Sequence, residues 1–549
     1  MVIARVVQKQ DPADPARLLR RARATTGTDE ALAGTLQALA DRTPPATAAT
    51  ALRHAARVTA NPRTRENALV AAARQTWLAG APGPATALLR AAGPRARTRL
   101  VAAEIALHTG PGGADELIAA AVHLPPAQGV EALLHAADAL HRAGDDRRFA
   151  EVARLVLARH PEPTPAAELV AGLAALCRDD QATGFARLRA AQARAAASGQ
   201  DLVQGATAAV LTGADGLPLA GRAVRLIRQR GETALLPRAL EAAAFAALAT
   251  GQHDAATTAA TEGAELAART GQPVLAEVHL GILAVLAALA GDRETTLLRV
   301  RQAAAQDSTT GPGSARALCQ WALSVLDLID GRTAAAAGRL AGLVVTGSGH
   351  GNAVLQVAAT PHLVEAAPGG VPAGVLGPFE RWTTATGRAP WLALRARCRA
   401  LLATDPDDAE DLFREALAEH DRGDTDYARA RTEFLYGRHL RAHRRPADAR
   451  EHLRRATDTF TLLGAGPWAG QAAAELRAAG ASVPAVPGKL TAQQERIARL
   501  AADGATTREI AQQLVLSPRT VDHHLRNVFA RLGVRSRTEL ARRLPLTES

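Results

Sequence analysis

Lysine is almost missing from this chain: Lys9 and Lys489 are the only two among 65 basic residues. So large an excess of arginine reads first as the codon bias of a GC-rich genome and only then as chemistry. Aromatic residues are scarce too, at 3%. Alanine and leucine fill the apolar positions instead, which favours close helix–helix interfaces over β-sandwich cores. Three cysteines occur, Cys177, Cys319 and Cys398, far apart and with neither CxxC nor Cys/His spacing. Neither a disulfide framework nor a structural zinc is expected from them, and the chain reads as cytosolic. The opening MVIARVVQKQDPADPARLLRR has too short an apolar run for a signal peptide. Residues 340–364 carry no formal charge, yet TGSGHGN and a Thr-Pro-His keep them from spanning a bilayer as a helix. A soluble, cytoplasmic protein without a membrane partner is expected.

What is present is helix. The chain has 549 residues, 47% of them apolar, enough for several domains or one long repeat array. From about residue 30 to 480, alanine and leucine recur at three- and four-residue spacing. Short turns interrupt the pattern around Gly80, Gly110, Gly144, Gly251, Gly291 and Gly331, the last three spaced 40 residues apart. Glycine just past a helix suits a position of positive φ. Small residues in the next helix let paired helices approach closely. Helix pairs at this spacing predict an all-α, tetratricopeptide-like α-solenoid over residues 1–480. Such an array offers a surface for an effector or a protein partner; otherwise it is a rigid spacer. The stretch ASVPAVPGK, residues 481–489, breaks the helical period and is expected to be a linker.

Residues 490–549 are expected to form a second domain, of four short helices. Thr491 with Gln494, Thr506 with Glu509 and Ser536 with Glu539 are spaced as capping boxes. Asp503-Gly504 and Gly533 end helices, and Ser517-Pro518 supplies an N-cap and a first helical residue. At 100° per residue, Val521, Leu525, Val528, Phe529 and Leu532 share one face of the third helix. Arg519, Asp522, His523 and Arg526 share the opposite face. A recognition helix needs this arrangement, because its N-terminal residues meet base edges in the major groove. Residues 488–549 hold eleven basic and six acidic side chains, a net of +5 out of +11 for the whole chain. A small basic module is a candidate for a polyanionic partner, against the plainer reading of a solvated arginine-rich surface.

LTAQQERIARLAADGATTREIAQQLVLSPRTVDHHLRNVFARLGVRSRTEL closely resembles the LuxR-type helix-turn-helix domain. Leu490-Thr491, Gly504, Glu509-Ile510-Ala511, Leu514, Ser517, Thr520-Val521, His524-Leu525, Leu532, Val534 and Arg537 sit at the family's positions. Gln494, Thr507 and Asp522 depart from them: the family usually has Glu, often Asn and often a basic residue there. The resemblance implies double-stranded DNA as partner, base contacts from Asp522, His523 and Arg526, and phosphate contacts from Thr506, Thr507, Arg508, Ser517, Arg519, Thr520 and Asn527. It also implies a transcriptional regulator, with RNA polymerase as a candidate partner; because a single module of this size buries little surface, binding as a homodimer to an inverted or direct repeat is expected.

Upstream, LFREALAEH (412–420), YARARTEFLYGRHLRAHRRPADAREHLRRA (427–456), FTLLGAGPWAGQAAAELRAAG (460–480) and GRAVRLIRQRGETALLPRALEAA (221–243) are similar to the helical part of the large MalT-like, ATP-binding LuxR regulators. Those regulators also carry a P-loop, whose Gly-Lys-Ser/Thr holds phosphates. Here the only Gly-Lys is Gly488-Lys489, followed by leucine. The chain thus reads as repeat and DNA-binding parts without the nucleotide switch, either because its start is truncated or because it works without ATP. TGSGHGN (346–352) is read as a loop and not as a phosphate cradle.

No GxSxG, HExxH or other nucleophile–base constellation occurs, and no enzyme activity, cofactor or metal is expected. His420, His439, His443 and His452 lack ligand spacing and are read as surface histidines. The rival to a regulator is an interaction scaffold whose helix-turn-helix domain is silent or auxiliary. Duplex DNA separates the two. The fragment 485–549 should bind it, with affinity falling steeply as salt rises in a fluorescence-anisotropy titration. Absence of binding in dilute buffer would leave the scaffold.

Overall fold

The computed structural model describes residues 14–109, 113–159, 162–178, 180–196, 198–305, 313–344, 353–367, 370–371, 374–423, 426–481, 490, 492–514, 518–534 and 536–543. Among them there is no β-strand, and twenty-six α-helices run from Pro15 to Ala478. Successive helices pack side by side, as in the pairs Pro45–Val58 with Pro62–Leu78 and Asp426–Ala442 with Pro446–Leu462. This is the tetratricopeptide-like solenoid expected from the turn spacing. TGSGHGN, Gly110 and linker residues 482–489 lie outside the described residues.

The turns show how the sequence sets the repeat. Gly144, Gly251, Gly291 and Gly331 have φ of 74°, 73°, 77° and 72°. At Gly291 the glycine N–H donates to the Ala288 carbonyl at 2.9 Å, and the Asp292 N–H donates to Ala287 at 2.8 Å. Two carbonyls left over at the helix end are thereby satisfied. Asp292 then accepts from the Thr295 N–H at 3.1 Å and starts the helix Arg293–Ala304. Asp145 does the same for Asp146–Ala158, accepting from Arg148. A Gly-Asp pair thus ends one helix and begins the next. Proline at the first turn opens many others, including Pro62–Leu78, Pro273–Ala290 and Pro446–Leu462.

Close approach is paid for in glycine. A Cβ on Gly263, in His253–Arg269, would lie 2.1 Å from Cε1 of His279 in the neighbouring helix Pro273–Ala290. The imidazole cannot step aside, being fully buried with Nε2 2.9 Å from the Pro237 carbonyl. The helix Pro273–Ala290 is long and apolar enough to cross a membrane by length and composition, but 72% of it is buried inside the repeat. It is a core helix here.

Two features depart from the expectation. The solenoid also packs across distant segments: the Trp382 indole N–H donates to the Leu211 carbonyl at 3.1 Å, and Arg189 reaches the Ala385 carbonyl at 3.2 Å. His420 is not a surface histidine. It is 2% exposed, and its Nε2 lies 3.0 Å from the Thr432 hydroxyl. The apolar pattern places that face of Pro406–His420 against Asp426–Ala442, which the local histidine count could not show. His443 is exposed, whereas His452 is half-buried with Nδ1 2.5 Å from a Glu433 carboxylate oxygen.

Two substitutions should move stability in opposite directions. Gly263→Ala should lower the melting temperature, because overpacking of about 1–3 kcal/mol outweighs the helix propensity gained. Gly338→Ala, on an exposed helical position with nothing within 4 Å of the added carbon, should raise stability by about 0.5–1 kcal/mol. Differential scanning calorimetry of the two variants checks both signs.

Candidate nucleic-acid interface

Four helices close the described chain: Ala492–Ala502, Thr507–Gln513, Pro518–Leu532 and Arg537–Arg543. They share a core of their own, with Ile497, Ala498, Ile510, Ala511, Val521, Leu525, Val528 and Leu540 buried. Phe529 and Leu532 pack partly against it. Burial of Val521, Leu525 and Val528 fixes the rotation of the third helix about its axis, and Asp522 and Arg526 are exposed as a result.

Capping sets where these helices start. Thr506 Oγ1 accepts from the Glu509 N–H at 3.2 Å, and the Glu509 carboxylate accepts from the Thr506 N–H at 2.8 Å. The Thr506 backbone, then its hydroxyl, hold the Glu509 carboxyl below its usual value. Its folded pKa being the lower one, the box contributes above the ordinary glutamate pKa and is lost as pH falls through the depressed value. Ser536 Oγ accepts from the Glu539 N–H at 3.2 Å and caps the fourth helix. Pro518 is the first residue of the third helix, and Gly504 and Gly533 have φ of 91° and 64° just after the first and third. Thr491 and Ser517, the other proposed caps, lie outside the described residues.

The second, third and fourth helices are tied by one polar clasp. The Thr507 hydroxyl donates to Asp522 Oδ1 at 3.0 Å. It also accepts from Arg537 at 2.7 Å, while a second Arg537 nitrogen donates to the Ala505 carbonyl. Thr507 and Asp522, two of the three positions where the sequence departs from the family pattern, are therefore bonded to each other. Sequence reasoning gave Arg537 no role; its match to the family pattern was the available signal. Thr506 and Arg508 are exposed, and Thr507 is half-buried within the clasp. His523, Arg519, Thr520 and Asn527 lie on the helix Pro518–Leu532, but their side chains, like all of Ser517, lie outside what the structure describes. Among the described residues, one ion pair links the module to the repeat, Arg496 with Asp254 at 3.7 Å, and Asp254 is 89% exposed. An exposed pair of this kind holds little.

With this geometry in view, comparison with known proteins is direct. Residues 488–544 match the family described as bacterial regulatory proteins, luxR family. The same part is 45% identical over 58 residues to the monoamine regulon transcriptional regulator of Klebsiella aerogenes, covering 11% of this chain and 26% of that protein. It is 44% identical over 55 residues to the transcriptional regulatory protein UhpA of Escherichia coli K12, covering 10% and 28%. An HTH-type transcriptional regulator of Mycobacterium bovis is 43% identical over 53 residues, covering 10% of this chain and 6% of its own length. The chain thus spans only a small part of each relative. Most of the chain also aligns with the crystal structure of the APC/C hetero-tetramer Cut9–Hcn1 at 13% identity, over 85% of both chains, with a TM-score of 0.38. That likeness is too loose to build on. The C-terminal module is a LuxR-family helix-turn-helix domain, carried by an all-α repeat chain.

Arg537→Met should destabilise the module by about 1–3 kcal/mol, the worth of charge-assisted bonds to Thr507 and Ala505. Urea unfolding of residues 485–549 should show a lower midpoint with an unchanged slope.

Proposed function

We propose that this protein is a sequence-specific, DNA-binding transcriptional regulator of the cytoplasm, whose helix Pro518–Leu532 enters the major groove. One observation carries the reading: the helix is buried along Val521, Leu525 and Val528 and presents Asp522 and Arg526 to solvent, and it follows the capped helix Thr507–Gln513 in the chain. The luxR-family match over the same residues and the regulator names of its relatives support it.

In this reading Arg526 pairs with guanine O6 and N7, and His523 contacts a neighbouring base edge. Asp522 has one oxygen engaged by Thr507, and its other oxygen accepts from a cytosine amino group. The clasp then orients the acceptor before DNA arrives. Thr506, Arg508, Ser517, Arg519, Thr520 and Asn527 hold phosphates and set register without reading sequence; Thr507, whose hydroxyl proton goes to Asp522, offers a phosphate its backbone N–H. A module of four short helices buries little surface on DNA, so two copies bind a repeated half-site. The helical repeats take an effector or a protein partner, or bring the two copies together, and RNA polymerase is the contact through which a bound regulator acts. The chemistry is recognition and not catalysis.

Arg526→Ala should weaken binding to the preferred site by about 1–3 kcal/mol and relax preference at one base pair. Selection of bound genomic fragments supplies the site, and competition with random duplex measures the change. Equal loss on specific and random DNA would move Arg526 from base edge to phosphate.

A further inference from the structure

The repeat buries one group of polar side chains that its own packing does not answer. Helices Ala353–Ala366, Ala389–Leu402, Asp426–Ala442 and Gly466–Ala478 contribute His362 and Glu365, Arg397, Tyr427 and Arg431, and Trp468. Arg431 is 2% exposed and Arg397 is 4% exposed. Arg431 has its counter-charge: it pairs with Glu365, and its guanidinium carbon lies 3.6 Å from the centroid of the Trp468 ring. Arg397 has none among the described residues. Its bond runs from Nη1 to the Ala428 carbonyl at 3.3 Å, one residue beyond Tyr427.

Apart from His362 Nδ1, on a neutral ring, the buried polar atoms without a protein partner here can all donate. They are Arg397 Nε, Arg431 Nε and Nη1, the Trp468 indole N–H and the Tyr427 hydroxyl, the last two facing one another without closing a hydrogen bond. Two guanidinium groups and one carboxylate leave one positive charge inside the protein. His362 does not add to it, because burial and then Arg397 and Arg431 push its imidazole down to about 3. Burial also works against the charged form of Arg397. Arginine does not resolve that by losing its proton. An uncompensated buried charge is among the most unfavourable features a fold can hold. A water molecule can accept from an N–H, but it cannot cancel a charge.

We infer that this locus, between Arg397, Tyr427, Arg431 and Trp468, binds a small organic monocarboxylate. Its single negative charge matches the single excess positive charge, where inorganic phosphate at neutral pH brings more. Its carboxylate accepts from Arg397 Nε, the donor of the uncompensated charge, and from the neighbouring Tyr427 hydroxyl. The Trp468 and Phe434 rings already flank Arg431 and give the organic remainder an apolar wall. As the effector site of the repeat, it rests on the proposed reading that the repeats take an effector; as a binding site, it does not.

The test uses full-length protein without DNA. Sodium acetate, sodium benzoate and inorganic phosphate are titrated in chloride buffer at matched ionic strength. Tryptophan fluorescence and melting temperature are the readouts. Acetate or benzoate should give a saturable fluorescence change and raise the melting temperature by at least about 3 °C at saturation. Tyr427→Phe, which keeps the packing, should weaken that response about tenfold, the loss of one charge-assisted hydrogen bond. Arg397→Met should abolish it while leaving the ligand-free melting temperature at or above that of the wild type. No response to either carboxylate, a response to phosphate alone, or an unchanged response in Tyr427→Phe overturns the inference. If carboxylate binds but leaves DNA affinity unchanged, the site stands and its role as effector site falls.

Discussion

Alanine sets the terms of this structure. A buried alanine removes little apolar surface from water compared with leucine or phenylalanine, so a core made largely of alanine cannot be deep. It can only be thin, close and long. Gly263 against His279 shows how close: there is no room for one more carbon. Each helix gains enough burial only by facing neighbours on two sides, and Pro273–Ala290 is buried nearly all round for that reason. A repeat array is the architecture that supplies such neighbours without limit. The Gly-Asp turns follow from the same need. They reverse the chain in the fewest residues, and so keep consecutive helices within reach of short side chains.

The C-terminal module solves a different problem with the same materials. It is too small to be held by apolar area alone, and it must keep one face of one helix free. Its answer is polar: a reciprocal capping box at Thr506 and Glu509, and the Arg537–Thr507–Asp522 clasp. The clasp joins the helix Thr507–Gln513 to the helix Pro518–Leu532. Rotation of the exposed face is therefore fixed twice, by Val521, Leu525 and Val528 from below and by Asp522 from the side. In the proposed complex this rigidity matters, because a groove-reading helix loses its register when it rolls by a fraction of a turn.

Local signals in the sequence carried far. Ser and Thr followed by Glu at the third position marked helix starts, glycine marked helix ends, and the apolar stripe of Pro518–Leu532 marked its buried side. All of these are properties of neighbours within four residues. What stayed hidden lies further apart. The Thr507–Asp522 bond spans 15 residues and looks like two unrelated departures from a pattern until the helices are in place. The Trp382 bond to Leu211 spans 171 residues and has no periodic signature at all. His420 was misread because exposure of a histidine depends on which helix covers it, and composition around it pointed to a charged surface.

Arg397 and Arg431 belong to the same class of hidden feature, and they sharpen what the repeat is for. In an arginine-rich chain two more arginines carry no message. Their position does. A solenoid stabilised by thin alanine interfaces has little surplus with which to bury an uncompensated guanidinium, and a purely structural spacer gains nothing from one. Leucine or methionine at position 397 would pack the same interval between helices at lower free energy. A site that is incomplete until an anion arrives is, by contrast, an element whose packing depends on solution chemistry. In the proposed regulator that dependence sits in the repeat, and the DNA-reading helix sits beyond the linker. Its rigid internal clasp leaves the placement of the whole module, and not its inner geometry, as the variable an effector can act on.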